Sequence, residues 1–244
     1  MMQQFLAPFK KLGATEWSAV GLGLVLLVVY VYWGTPAVFA FRIVEGFGWQ
    51  LDGDFILLSW LAQAYQFGVA AVCLGIVPLL MGVFVSGHRA AEMGIAIGDW
   101  RFGLKAVGGA ALVLTPLLYL NSFSTAFQAE YPLLVQAGDS AGHFLAWQLL
   151  YLVYYVSWEF FFRGYWQLGL RSALGPFGAM ALQTAASTLM HIGKPFGETL
   201  AAVAAGFGFG ALALRTRSFL YPLLLHWYIG AMTDLFCLLN ASSG

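Results

Sequence analysis

Six side chains in the second half of this chain could do chemistry together: Glu159, Arg163, His191, Glu198, His226 and Asp234. Glu159 and Arg163 lie four residues apart in Trp158-Glu159-Phe160-Phe161-Phe162-Arg163-Gly164, directly after the apolar run from Phe144 to Val156. On a helix, residues i and i+4 share a face, so the two can pair across one turn. An ionisable side chain in hydrocarbon costs roughly 3 kcal/mol on insertion scales, so each such residue needs a reason to be there. His191 stands in Ser187-Thr188-Leu189-Met190-His191-Ile192-Gly193-Lys194-Pro195, with Glu198 seven residues later. His226 and Asp234 lie in the last apolar run. Buried glutamate and histidine can serve as general base and acid. A base that activates water, with a donor for the oxyanion, suffices to hydrolyse a peptide bond. Two histidines and a carboxylate are also a common zinc set, although no His-Glu-x-x-His helix is present. No serine or cysteine has the context of a nucleophile elbow. Ser187, one turn before His191, reads as helix packing.

The elements that must hold these residues are membrane helices. Of 244 residues, 61% are hydrophobic and 9% charged, against about 25% charged in soluble domains, and the mean hydropathy is +0.79. The fold class is therefore all-α, a polytopic transmembrane bundle in a lipid bilayer. With zero net charge, the chain has no electrostatic footprint for nucleic acid. Cys73 and Cys237 fall in apolar runs and read as buried free thiols.

Seven spans are expected: 18–33, 55–85, 106–120, one beginning near His143, 173–190, 199–214 and 219–239. The second exceeds the roughly 20 residues a span needs, so it tilts or contains a turn before Gln66. If it splits, or if the loop 121–142 dips into the membrane, there are eight. Phe5, Leu6 and Phe9 beside Lys10 and Lys11 suggest an interfacial segment, and His88 to Lys105 an interfacial connection. With a cytoplasmic N-terminus, Lys10, Lys11, Arg89, Arg101, Lys105, Arg171, Arg215 and Arg217 fall on one side, and only Arg42 and Lys194 on the other, as the positive-inside rule requires. The alternating Gly206, Gly208 and Gly210, with Ala201, Ala205 and Ala211, make a small-residue face for close helix contact. In this topology His191 and Glu198 lie nearer one surface than Glu159 and His226, and a rise of about 1.5 Å per residue would keep the two pairs apart.

Glu159-x-x-x-Arg163, followed by His191 and then His226, resembles the CAAX-protease and bacteriocin-processing (abortive-infection) family of intramembrane proteases. Its pattern is Glu-Glu-x-x-x-Arg, Phe-x-x-x-His and His-x-x-x-Asn or Asp. The agreement covers residues 143–239, and divides the chain into N-terminal membrane helices, 1–142, and a core, 143–244. The resemblance implies a glutamate-activated water, assisting histidines and a membrane-associated protein or peptide substrate; no cofactor is expected, with a zinc-dependent peptidase as a close variant, and the expected location is a bacterial cell (inner) membrane. Three positions depart from it: Trp158 replaces the first glutamate, Ser187 the phenylalanine, and Gly230 the final Asn or Asp. Glu159 or Glu198 would then act as base, and Asp234 would replace the missing polar partner of His226. The competing readings are a non-catalytic scaffold regulating another membrane protein and, third, a proton-coupled transporter.

Overall fold

The computed structural model describes residues 12–51 and 54–241. Phe5, Leu6, Phe9, Lys10, Lys11 and Asp52 lie outside the described residues. Within them the chain is all-helical, with no strand. Seven long rods occupy the seven expected places: α1 (Ala14–Trp33), α2 (Phe55–Val85), α3 (Trp100–Asn121), α4 (Ala141–Glu159, continued by wider π-type turns through Phe160–Leu168), α5 (Gly169–Leu189), α6 (Phe196–Thr216) and α7 (Leu220–Ala241). Five of them, α1, α2, α3, α6 and α7, are long and apolar enough to cross a membrane. Their outward faces carry exposed Val28, Phe84, Leu112 and Leu120, as lipid-facing surfaces should when no water competes for them.

Several boundaries differ from expectation for local reasons. α2 is one rod with no break before Gln66: Gln63 donates to the Leu133 carbonyl and Gln66 to the Tyr30 hydroxyl, so neither amide forces the chain out. The segment after α1 is not a loop but helical turns, Pro36–Val38 and Phe39–Val44, started by Thr35 accepting from the Val38 N–H. α3 starts six residues before the expected Ala106, because Asp99 caps it by accepting from Phe102 N–H, a standard helix start. Gly98, at φ +58°, brings this cap against the Thr216 carbonyl, where Asp99 N–H donates. That conformation is one glycine adopts freely.

The feature that positions the site is the break at Gly175-Pro176. Gly175 leaves helical geometry at φ 73°, ψ 158°, the extended ψ forced on a residue before proline, and Pro176 opens the next helical run without needing a hydrogen-bond donor. Residues 169–174 thus prolong α4, and α5 turns back antiparallel beside it. Glu159 and His191 each lie 16 residues from Gly175, so the hairpin returns His191 to the level of Trp158 and Glu159. The expected mismatch in depth disappears for this reason.

Cys73 and Cys237 are buried and free. The small-residue face of α6 splits in two. Gly206 and Gly210 pack on α5, where an added Cβ would meet Thr184 or Met180. Gly208, Ala201, Ala205 and Ala211 instead line a cavity, so four of the six residues serve open space rather than the helix packing expected of them.

Candidate active site

Glu159 is the buried anchor, with 0% of its surface exposed. Its Oε1 accepts from Arg163 Nη1 at 3.2 Å and sits 2.6 Å from His226 Nδ1. Because a carboxylate only accepts, Nδ1 carries the proton and a neutral His226 presents a bare Nε2. Arg163, 2% exposed, lies over the Phe209 ring at 5.4 Å. The i, i+4 pairing of Glu159 and Arg163 is thus present, and a third partner, His226 from α7, joins it.

His191 follows α5 directly. Its Nδ1 lies 2.7 Å from the Ser187 carbonyl, which again only accepts, so this imidazole is held in the same tautomer with Nε2 free. Ser187 thus acts through its backbone, while its hydroxyl bonds Thr184 carbonyl. The chain then turns at Gly193, φ 100°, and Pro195 precedes α6. This puts Glu198 in the first helical turn, where the helix dipole favours a negative charge. Glu198 Oε1 accepts from the Tyr131 hydroxyl at 2.7 Å, and its Oε2 has no hydrogen-bond partner among the described residues. Tyr131 belongs to the connection between α3 and α4. Beside it Lys194 pairs with Glu130 and sits over the Tyr131 ring at 5.1 Å.

Trp158 occupies the gap between the imidazoles, with ring centroids 5.6 Å from His191 and 6.4 Å from His226. Tyr155, one turn before Glu159, lies 4.7 Å from the His226 ring.

Two cavities meet here. The larger, about 990 Å³, is an apolar groove between α3 and α6 with α7 as its floor. It follows α3 from Phe102 to Asn121, about 28 Å at 1.5 Å per residue, close to the roughly 30 Å of a hydrocarbon core. Small residues keep it open: Ala106, Gly109 and Ala110 on α3, and Ala201, Ala205 and Gly208 on α6. The smaller cavity, about 200 Å³, is lined by polar tips including Tyr30, Gln66, Tyr151 and Lys194. Tyr131, Tyr155, Trp158, His191, Glu198 and His226 line both. Glu159 lines neither and reaches the cavities only through His226 and Arg163.

Asp234 is placed apart. Its Oδ2 accepts from Trp147 Nε1 at 2.7 Å and Gln148 Nε2 at 3.2 Å, so it ties α7 to α4. The expected pairing of Asp234 with His226 is not present: Glu159 takes that position instead. Two turns along one helix carried Asp234 beyond reach, at about 12 Å of rise. Among the described residues, no three His, Cys, Asp or Glu side chains converge to hold a metal ion.

Sequence reasoning missed Tyr131 and Tyr155. Both resemble the aromatic residues common at membrane interfaces. The one signal for Tyr155 was its spacing, one turn before Glu159 and so on the same helix face.

No curated protein and no solved structure matches the chain. A family model does: the one described as type II CAAX prenyl endopeptidase Rce1-like, over residues 140–232. That segment contains every residue singled out from the sequence except Asp234. The likeness to CAAX proteases first carried by Glu159, Arg163, His191 and His226 therefore extends over residues 140–232, an Rce1-like segment set in an all-helical membrane bundle.

Proposed function

We propose that this protein is an intramembrane endopeptidase that hydrolyses a peptide bond of a membrane-anchored protein or peptide, in the manner of CAAX processing or of leader- or sorting-signal removal. The observation that carries the reading is the junction of the two cavities. An apolar groove as long as the bilayer is thick opens onto a polar chamber through a wall that holds two oriented imidazoles and a carboxylate. The groove receives the apolar anchor of the substrate, and the scissile bond lies at the junction.

In this reading His226 takes the proton of the attacking water at Nε2, while Glu159 orients the ring and stabilises the imidazolium, as the buried carboxylate of a catalytic triad does. Glu198, through its unpartnered Oε2, and His191, through Nε2, hold the water. Arg163 fixes Glu159. Asp234 secures the helices and takes no part. Glutamate thus acts twice, once through an imidazole and once on water. An N-terminus in the cytoplasm, in a bacterial inner membrane, completes the proposal, and the positive-inside count supports that orientation.

Glu198→Gln keeps the Tyr131 contact but loses the charge that polarises water. Processing of a prenylated or otherwise membrane-anchored reporter peptide by the purified, reconstituted protein should fall by about 100-fold, at the low end of what positioned proton-transfer groups contribute. Full activity in that variant would remove Glu198 from the mechanism. Incubation with a zinc chelator should leave the wild-type rate unchanged, since the chemistry proposed uses side chains alone. A chelated enzyme that stops, and restarts on zinc addition, would replace this mechanism with a metal one.

A second reading, a non-catalytic scaffold that regulates another membrane protein, draws on the complete burial of Glu159 against Arg163 and on Trp158 at the first motif position. A wild type that processes no membrane-anchored substrate, in cells or in vesicles, would favour it.

A further inference from the structure

Hydrolysis by the route above needs one more group: a donor for the oxyanion that forms when water adds to the peptide carbonyl. A site without one forfeits a large term. Most candidates on the cavity wall are already committed. Arg163 is turned to Glu159. Tyr131 gives its proton to Glu198. His191 and His226 are already taken up in the proposed steps, with Nδ1 of each held by the Ser187 carbonyl and the Glu159 carboxylate.

Tyr155 remains. It is 3% exposed, it lines both cavities, and its ring lies tilted at 4.7 Å from that of His226. Its ring also packs 4.4 Å from that of Tyr151. The decisive observation concerns Gly230, one turn after His226 and itself on the groove wall. A Cβ built on Gly230 would overlap Tyr155 Oη and lie 2.8 Å from its Cζ. The Tyr155 hydroxyl therefore fills the space into which any side chain at 230 would project.

We infer that Tyr155 is a catalytic residue whose hydroxyl, occupying the side-chain space above Gly230, donates a hydrogen bond to the oxyanion; the inference rests on the endopeptidase reading. As the water oxygen bonds to the carbonyl carbon, its proton passes to His226 Nε2, and the carbonyl π pair moves onto oxygen. That oxygen accepts from Tyr155 Oη without taking its proton. Collapse re-forms the carbonyl, the carbon–nitrogen bond breaks, and the departing amine takes the proton from His226. Atoms and charge balance as peptide plus water giving acid plus amine.

Cleavage of the reporter peptide is measured for the wild type, Tyr155→Phe, Tyr155→Ala, and Tyr155→Ala combined with Gly230→Asn or with Gly230→Ala, alongside the melting temperature of each. Tyr155→Phe keeps the ring and should melt with the wild type while kcat falls about 100-fold at nearly constant KM, the usual cost of one lost oxyanion donor. Tyr155→Ala should fall as far. With room made by the missing ring, Gly230→Asn should recover at least tenfold, whereas Gly230→Ala, which fills space without a donor, should recover none. Tyr155→Phe at full kcat, an alanine rescue equal to the asparagine one, or no rescue by asparagine would each overturn the inference while leaving the endopeptidase reading in place. A wild type without cleavage removes that reading and this inference with it.

Discussion

A His226→Ala variant is expected to keep its fold and lose processing by about 100- to 10,000-fold, the range contributed by a positioned proton-transfer group. The imidazole sits on a cavity wall with 19% of its side chain exposed, so its removal enlarges existing space rather than opening a void in a packed core. The expectation is stronger for His226 than for His191 because of what stands behind each ring. His226 is backed by the Glu159 carboxylate at 2.6 Å, which can stabilise a positive imidazolium. His191 is backed by the neutral carbonyl of Ser187, which fixes orientation and offers far less to a charge. Processing by His226→Ala and His191→Ala in reconstituted vesicles, with melting temperatures as controls, separates the two. If His226→Ala cleaves at the wild-type rate, no proton passes through that ring and the proposed chemistry is wrong.

Glu159→Ala should produce the largest loss of stability of any substitution in the site, about 3–5 kcal/mol, as when one partner is removed from a buried ion pair. Arg163 would keep its charge while 2% exposed, with the faces of Phe162 and Phe209 beside it. The cost arises from the stranded guanidinium more than from the lost attraction. A Glu159→Leu, Arg163→Met double variant should therefore unfold at a higher denaturant concentration than either single variant, although it cannot orient His226 and should not cleave. Denaturation in detergent micelles tests this directly. Equal midpoints for Glu159→Ala and the wild type would mean that the carboxylate does not neutralise Arg163 in the membrane.

The extent to which the site could be read from the chain follows from how each residue was encoded. Glu159, Arg163, His191 and His226 stood out because charge and imidazole are costly in an apolar run, and the i, i+4 spacing of the first two gave their contact as well. The level at which they meet did not stand out. It depends on the hairpin at Gly175, and a fifth span begun at Ala173 hides the fact that residues 169–174 extend α4. Asp234 was visible as a costly group, but its partners, Trp147 and Gln148, lie 87 and 86 residues away, beyond any local pattern. Tyr155 was one tyrosine among eleven, and only the space above Gly230, a property of two packed helices, distinguishes it. The apolar groove was invisible for a related reason: small residues that let helices touch and small residues that keep them apart are the same residues.

Glu130 and Tyr131, which hold Lys194 and Glu198, and α3, which forms one bank of the groove, all precede residue 140, where the family match begins. The stretch that matches the family model is therefore shorter than the smallest piece that holds the proposed site together. Excised at its borders, it would carry both imidazoles and both glutamates yet have one carboxylate unclasped and its channel open along a whole side. The preceding 139 residues are thus more than an anchor of arbitrary sequence, and a graft into another bundle would have to carry them together with the matched part.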